Sequence, residues 1–309
     1  MRYMNLHENG DIFAKYLEAA SNYMGLADSG IIEKDYFVTF FLQKIKERQT
    51  GIIFKGGTSL SKCYKIINRF SEDLDLNLNA EAGKLTSGQR RTLKQDIISV
   101  IKDSGFRLEN ANQIRSRMDF NRYVISYPSP STTPHGFPGQ YLVVETSVSI
   151  ESFPTDTMNA ASLIYDFLLA NSAENEIVKY GLEPFPIQVQ SINRTFIDKV
   201  FAIADYYIDG HIENHSRHLY DLYKLYPGII LNHEFTELVK RVREIRKPHI
   251  TCHSAKAGVD MQELLQKIAN NDVYKSDYNR VTAALLFEKV PYMEAVTVLQ
   301  KILDSRCFE

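Results

Sequence analysis

Apolar and polar residues change their spacing several times along the first part of the chain, and each change predicts a different element. Apolar side chains recur every three to four positions in residues 12–49, which predicts two helices. The β-branched and aromatic residues at 37–45 are also compatible with a strand. Residues 52–54 form a short apolar run, and leucine alternates with aspartate over 73–76, so each of these segments predicts a strand.

A glycine pair, Gly56 and Gly57, follows the first of these strands directly. A residue without a Cβ lets the backbone approach a ligand closely. The next apolar positions at helical spacing are Leu60, Cys63, Tyr64 and Ile67. They predict a helix of about three turns, which Thr58 or Ser59 caps and which ends by Asn68. The N-terminus of such a helix presents unpaired N–H donors to an anion, so the turn is a candidate phosphate site.

Two carboxylates lie on the second predicted strand. Asp73 and Asp75 are one residue apart, so on a strand both project from the same face, while Leu74 and Leu76 face the core. Adjacent carboxylates repel each other unless a cation lies between them, and Mg²⁺ takes oxygen ligands of this kind. An aspartate pair by itself is more often the solvated face of an edge strand. The glycine turn upstream favours the metal site, and a metal beside a phosphate site indicates nucleotide chemistry.

The sequence of these motifs, FKGGTSLSK followed by RFSEDLDL, resembles that of the AbiEii/AbiGii toxin-type nucleotidyltransferases of the polymerase-β-like nucleotidyltransferase superfamily. The resemblance implies an α+β fold, in which a polymerase-β-like mixed sheet flanked by helices is followed by a C-terminal helical bundle. The nucleotidyltransferase domain would span residues 1–190, and a helical domain, residues 191–309, would complete the active site. The nucleotide would bind at Gly56, Gly57, Thr58 and Ser59.

The same resemblance implies a third carboxylate on a neighbouring strand. This residue would complete the metal site with Asp73 and Asp75 and help to deprotonate the attacking hydroxyl. Glu145 is the candidate, because it stands out as a single acid in an otherwise apolar run. Asp119 is the fallback, and an exposed glutamate at the end of a strand is the alternative interpretation of Glu145.

Two further motifs lie in the second half of the chain. Lys199 lies on a largely apolar predicted helix, where a lysine usually extends its amine to the surface. Arg217 and Asp221 in RHLYDLY are four residues apart and share one helical face, as in an ordinary ion pair. The resemblance instead assigns Lys199 to the nucleotide phosphates. It assigns Asp221 to the active site, where it orders Lys199 or the nucleotide, with Arg217 in support.

Composition limits the class of protein. A length of 309 residues suggests two domains, and 44% hydrophobic residues predict a sizeable core. No apolar run approaches the roughly 20 residues that cross a bilayer, and no signal peptide is recognisable, so we expect a cytoplasmic chain without a membrane partner. Three cysteines spread along the chain fit a reducing compartment.

The charge of the chain leaves one question about nucleic acid open. A formal net charge of −2 excludes a generally basic nucleic-acid-binding protein but not a local basic patch. The densest basic run, residues 240–247, is either a charged helix flank or a footprint for an RNA backbone.

Together these patterns predict a nucleotidyltransferase, dependent on Mg²⁺ or Mn²⁺, that moves an NMP from an NTP to an acceptor hydroxyl. The resemblance implies the toxin of a toxin–antitoxin or phage-defence (abortive infection) system. Its partners would be a cognate antitoxin and, as acceptor, the end of tRNA. A protein or a small molecule is the alternative acceptor. A non-catalytic nucleotide- or RNA-binding module is the alternative of a different class, and the intact aspartate pair argues against it.

Overall fold

The computed structural model describes residues 4–78, 85–116, 118–129 and 141–309. The contacts of the chain divide it into two units. Unit 1 comprises Met1–Tyr64, Ser71–Glu151 and Thr155–Val189, and unit 2 comprises Lys65–Phe70, Ser152–Pro154 and Gln190–Glu309. The division after Val189 lies beside the boundary predicted at residue 190, but two short segments from the N-terminal part belong to unit 2.

The described residues of unit 1 contain one mixed sheet. Its strands are β1 (Ile52–Lys55), β2 (Asp73–Leu78), β3 (Arg107–Leu108), β4 (Phe120–Ser126), β5 (Tyr141–Ser147), β6 (Thr155–Ala160) and β7 (Phe185–Gln190). They are arranged in the order β3-β4-β5-β2-β1-β7-β6. Strand β2 pairs antiparallel with β1 and parallel with β5, and β5 pairs antiparallel with β4. The aspartate strand is therefore central in the sheet, between β1 and β5, and not an edge strand.

The helices of unit 1 are α1 (Gly10–Met24), α2 (Gly30–Arg48), α3 (Gly56–Lys62), α4 (Ser87–Asp103), α5 (Leu163–Ala170) and α6 (Glu174–Tyr180). Helices α1 and α2 confirm the two helices predicted for residues 12–49. The segment 37–45 is helical and not a strand, because Phe37, Phe41 and Ile45, four residues apart, are all fully buried. Helical spacing therefore outweighs the strand preference of the individual residues.

The core of unit 1 covers one face of the sheet. Leu74 and Leu76 of β2 are fully buried, as is Phe37 of α2, whose ring lies 4.2 Å from the ring of Tyr127 between centroids. Asp73 and Asp75 alternate with these leucines and are only partly buried. The leucine–aspartate alternation thus sends apolar side chains to the helices and both carboxylates to the opposite face.

Helix α3 differs from the helix predicted after the glycine turn. It begins at Gly56 with Lys55 at the N-cap, so Thr58 and Ser59 lie inside it and do not cap it. It ends at Lys62 and does not extend to Asn68, because Lys65 adopts a left-handed φ of 55° that a helix cannot continue. Residues 65–70 then belong to unit 2.

Unit 2 is mainly helical in its described residues. Its helices are α7 (Ile192–Ile208), α8 (Arg217–Leu225), α9 (His233–Arg246), α10 (Met261–Asn270), α11 (Lys275–Asp277), α12 (Ala283–Leu285), α13 (Tyr292–Ala295) and α14 (Thr297–Ser305). Helix α7 begins at Ile192, because the hydroxyl of Ser191 caps it by accepting from the N–H of Arg194 at 3.3 Å. Across the described residues, no helix combines the length and the apolar character needed to span a membrane.

Lys62 fixes α3 against α2 within unit 1. Its buried amine donates to the carboxylate and backbone oxygens of Asp35 and, at 2.6 Å, to the hydroxyl of Thr39. The amine is thus satisfied by three oxygens of one helical segment, which holds the end of the glycine-turn helix in place.

Replacing Lys62 with methionine should lower the free energy of unfolding by about 3 kcal/mol, because the substitution leaves the carboxylate of Asp35 without its buried cation. Lys44→Met is the matched control on α2. Lys44 pairs with Glu47 in a partly exposed contact, so this variant should lose less than about 1 kcal/mol. Urea denaturation measures both variants, and equal losses would show that the buried pair contributes no more than a surface pair.

Candidate active site

The glycine turn and the aspartate strand meet at Gly56 and Asp75. Gly56 has a φ of +75°, a left-handed conformation that favours glycine, and it follows β1 directly. A Cβ built on Gly56 would lie 1.9 Å from Oδ2 of Asp75, so the carboxylate occupies the space that any side chain at position 56 would need. Glycine is therefore required at this position both by the backbone conformation and by the acid opposite.

One hydroxyl connects the turn to the aspartate strand, and a second one donates within the turn itself. Oγ1 of Thr58 donates to the backbone oxygen of Asp73 at 2.6 Å and lies 2.9 Å from Oγ of Ser71. Ser59 donates to the backbone oxygen of Gly56 at 2.9 Å. Gly57 lies between them in the first turn of α3. The structure thus brings together the four predicted nucleotide-binding residues of the turn and the two aspartates.

Glu145 lies on the same face of the sheet as the two aspartates. Asp75 and Glu145 are directly opposite each other in the parallel pair of β2 and β5, and opposite residues on adjacent strands point to the same side. All three acids are partly buried, whereas Leu74 and Val144, which alternate with them, are fully buried. We call Asp73, Asp75 and Glu145 the carboxylate face. The fallback residue, Asp119, instead pairs with Arg90 ahead of β4.

The donor chemistry of the carboxylate face fits a hard divalent cation. Its three acids offer carboxylate oxygens, and Mg²⁺ is commonly held by one or two carboxylates together with oxygens of the substrate phosphates. Within the described ranges, no three side chains of His, Cys, Asp or Glu are already arranged as a metal-holding group. The carboxylates of this face could serve as the protein ligands of such a cation.

A second cluster of charges is buried in unit 2. Nζ of Lys199, a residue that is 6% exposed, donates to Oδ2 of Asp221 at 2.6 Å. Arg69 donates to the same carboxylate through Nε and Nη2, each at 2.7 Å. Lys199 therefore does not extend to the surface, and the fully buried Asp221 holds both cations. We call Lys199, Asp221 and Arg69 the lysine cluster.

Arg69 is a member of the lysine cluster that the sequence patterns do not single out. Its main chain forms a β-bridge with Leu286, and its Nη1 donates to the backbone oxygen of Phe70 at 2.8 Å. A single arginine has no periodic signature, so the available signal is its place at the start of the RFSED motif. Arg217, by contrast, was singled out by the sequence patterns. Among the described residues, no contact joins it to Asp221, so the two do not form the ordinary helix ion pair.

Burial and charge act in opposite directions within the lysine cluster. Burial alone would raise the pKa of Asp221, but the positive charges of Arg69 and Lys199 outweigh it and hold the pKa of this carboxyl well below its usual value. Burial lowers the pKa of Lys199, and the charge of Asp221 offsets only part of this effect. Burial and the nearby charge of Lys199 also lower the pKa of His218. At neutral pH the carboxyl of Asp221 is therefore ionised, and the imidazole of His218, which is not a member of the cluster, is neutral.

The basic run at 240–247 is engaged by other groups of unit 2. The buried guanidinium of Arg246 contacts Asp198 at 3.2 Å and Asp205 at 2.8 Å. Lys240 pairs with Glu237 at 2.8 Å, and Arg243 donates to the backbone oxygen of Val259. These contacts favour the interpretation of this run as a charged helix flank over its interpretation as a footprint for RNA.

A mixed sheet with a glycine turn beside paired carboxylates defines the chain as a nucleotidyltransferase-type protein. A model of the AbiEii family, described as the nucleotidyl transferase AbiEii toxin of type IV toxin–antitoxin systems, matches residues 42–298. This match covers more than half of the chain, so the chain belongs to the AbiEii family of nucleotidyltransferase enzymes. The predicted family is confirmed, and a toxin of such a system has an antitoxin as its counterpart. Comparison with curated proteins gives no match.

Gly56→Ala should destabilise the protein more than Gly25→Ala and should abolish most of its nucleotide transfer. Both glycines have positive φ values, so both variants carry backbone strain of about 1 kcal/mol. A Cβ at Gly25 meets nothing within 4 Å, whereas a Cβ at Gly56 displaces the carboxylate of Asp75. Thermal denaturation and an NTP-turnover assay compare the two variants. Equal behaviour would show that the close approach of Asp75 is unimportant.

The stability that Asp221 contributes should depend on pH in the acid range. Its folded-state pKa lies below the ordinary value of 3.8, so the contribution is present above that value and is lost as the pH falls below it. The difference in free energy of unfolding between the wild type and Asp221→Asn should therefore stay constant above about pH 5 and narrow progressively as the pH falls from about 5 to about 2. Urea denaturation across this range measures it, and a constant difference would contradict the inferred ionised carboxylate.

Proposed function

We propose that the chain transfers a nucleoside monophosphate from an NTP to an acceptor hydroxyl, with the carboxylate face as the site of Mg²⁺. The observation that carries this proposal is the approach of Asp75 to Gly56. It sets the carboxylate of Asp75 directly against the glycine turn at the start of α3, in a chain whose family consists of nucleotidyl transferases. A metal on the aspartates beside a phosphate on the turn is the arrangement that transfer of an NMP needs.

In the proposed reaction the acceptor oxygen forms a bond to the α-phosphorus while the bond from that phosphorus to the bridging oxygen breaks. Pyrophosphate leaves with the electron pair of the broken bond. Glu145 takes the proton of the hydroxyl, and the backbone N–H groups of residues 56–59 donate to the phosphate oxygens. Mg²⁺ bound at Asp73 and Asp75 would supply charge stabilisation for the entering and leaving oxygens.

The lysine cluster is assigned to the same reaction. Lys199 would supply positive charge for the triphosphate, and Arg217 would be a further nucleotide-binding side chain. The bidentate contact from Arg69 supports this assignment, because it fixes the carboxylate that in turn fixes the amine of Lys199. Asp221 thereby orders Lys199 and does not bind the metal.

The acceptor that we propose is RNA, and in particular the acceptor end of tRNA, modified by the chain as the toxin of a toxin–antitoxin or abortive-infection system in the cytoplasm. Membership of a toxin family supports the biological setting. The pairing of Arg246, Arg243 and Lys240 within unit 2 argues against residues 240–247 as the surface that holds the RNA. A protein or small-molecule acceptor is the second candidate.

Asp73→Ala should reduce nucleotide transfer at least about 100-fold, because it removes an oxygen ligand of the metal that stabilises the reacting oxygens. The measurement incubates the protein with Mg²⁺, each labelled NTP in turn and total tRNA, and follows label on RNA and on protein. Transfer at the wild-type rate would overturn the proposed site. Label on protein in place of RNA would establish the transferase with the second acceptor.

The same assay tests which residue is the third carboxylate, by comparing the transfer rates of Glu145→Gln and Asp119→Asn. Glu145→Gln should slow transfer, because the amide neither takes a proton nor binds the cation as a carboxylate does. Asp119→Asn should leave the rate within about twofold, since Asp119 forms a partly exposed ion pair with Arg90. The reverse pattern would move the third carboxylate to Asp119.

A further inference from the structure

The face of the sheet that carries the carboxylates continues over β5, β4 and β3. Along β4, Tyr123 and Ile125 are buried, so Phe120, Arg122, Val124 and Ser126 point to the opposite side. Register extends this side to the neighbouring strands, because Arg122 lies opposite Glu145 and Ser126 lies opposite both Tyr141 and Arg107. We call Arg107, Phe120, Arg122 and Tyr141 the open sheet face.

Two aromatic rings are exposed on the open sheet face. Phe120 is 51% exposed and Tyr141 is 49% exposed. Large rings on a strand usually bury themselves against neighbouring elements, as Tyr123 on the other side of β4 does. The exposed rings flank the central residues Val124 and Val143, and they offer flat surfaces on the side that carries the acids.

The exposed rings lie within a short reach of the aspartates. Asp73 is opposite Val143, and Tyr141 is two residues from Val143 on the same strand. A rise of about 3.3 Å per residue and a strand separation of about 4.8 Å place the Cα atoms of Tyr141 and Asp73 about 8 Å apart. Phe120, two strands from Asp75 and at the other end of β5, lies at about 12 Å by the same reasoning. Both rings therefore lie within about 12 Å of an aspartate on the same side of the sheet.

Two guanidinium groups accompany the rings. The side chain of Arg122 is 57% exposed, and its Nε lies 3.7 Å from Glu145. The side chain of Arg107 is 78% exposed, and its Nε donates to Glu109 at 2.8 Å. Both side chains are more than half exposed, so part of each guanidinium faces solvent. These groups are placed to receive anionic oxygens beside the aromatic rings.

We propose that the open sheet face binds the single-stranded end of the RNA acceptor. Tyr141 and Phe120 stack on nucleobases, and Arg107 and Arg122 contact the flanking phosphates. Exposed aromatic side chains with basic residues on a sheet are a common means of binding single-stranded RNA, since every base has a face that stacks. A protein partner would favour a continuous apolar patch, whereas here the charged pair Arg122 and Glu145 lies between the two rings. The inference rests on the proposed function, because it supplies the acceptor surface of that reaction.

The test measures binding of a short fluorescein-labelled single-stranded RNA by anisotropy, without NTP and with EDTA present, so that no catalysis contributes. Tyr141→Ala should weaken binding about 5- to 150-fold, which corresponds to the loss of about 1–3 kcal/mol of stacking per base. Tyr141→Phe keeps the ring and should bind as the wild type does. Tyr23→Ala is the matched control, because Tyr23 on α1 is 58% exposed but lies outside the face.

Salt dependence tests the phosphate contacts separately. Arg107→Gln should reduce the slope of log binding constant against log salt by about 0.7, the value for one phosphate contact with a single strand. Arg107→Lys keeps the charge and should retain the slope. A blunt RNA duplex of the same sequence should bind more weakly than the single strand, because its bases are not free to stack on the rings.

Equal RNA binding by the wild type, Tyr141→Ala and Arg107→Gln would overturn the proposal. If such variants also transferred nucleotide to RNA normally, the proposed reaction would stand and its acceptor surface would lie elsewhere. Weaker binding by Tyr141→Ala in a protein that transfers no nucleotide would support the RNA surface and reject the reaction. If Tyr141→Ala and Arg107→Gln bound RNA normally but no longer transferred nucleotide to a protein acceptor, the face would be a protein-docking surface and the proposal would be overturned.

Discussion

The backbone of Gly56 and the carboxylate of Asp75 share a space that has no room for a Cβ. This constraint requires β1 and β2 to be neighbours, because only adjacent strands bring the end of one against the side chains of the other. Thr58 reinforces the same arrangement by donating to the backbone of Asp73. The core on the opposite face, with Leu74 and Leu76, then determines which side the acids occupy.

Charged groups in this protein are satisfied by partners that are distant in sequence, and this changes the meaning of the charge pattern. The buried guanidinium of Arg246 has acidic partners on α7, and Asp221 accepts from residues more than a hundred positions apart in the chain. Arg246 therefore adds little positive charge to the surface, although it belongs to the densest basic run of the chain. The two arginines of the open sheet face, Arg107 and Arg122, occur singly on β3 and β4, where no run of basic residues marks them.

The motifs that combine spacing with chemistry predicted the fold well around the carboxylate face. Alternation placed Asp73 and Asp75 on one side, and the pattern after Gly57 correctly required a helix. Apolar spacing overestimated the length of that helix, because Ile67 is buried in unit 2 and does not continue the face of Leu60. Strand β6 and helices α5 and α6 were not predicted, since short elements among proline and polar residues have too few positions to show a period. The role of Arg69 could not be predicted, because a single sequence does not show which distant segment contacts α8.

The segment Lys65–Phe70 is contributed to unit 2 from within the sequence of unit 1. The chain consequently passes between the units several times, and no single cut in the sequence separates them. A fragment that begins after β7 would contain Asp221 and Lys199 but not Arg69, so its buried carboxylate would have lost its bidentate partner. The helical part is therefore not a module that recombination could exchange between relatives as one contiguous piece. Its inheritance has to be linked to that of the motif RFSED, which contains both Arg69 and the first metal-binding aspartate of the proposed site.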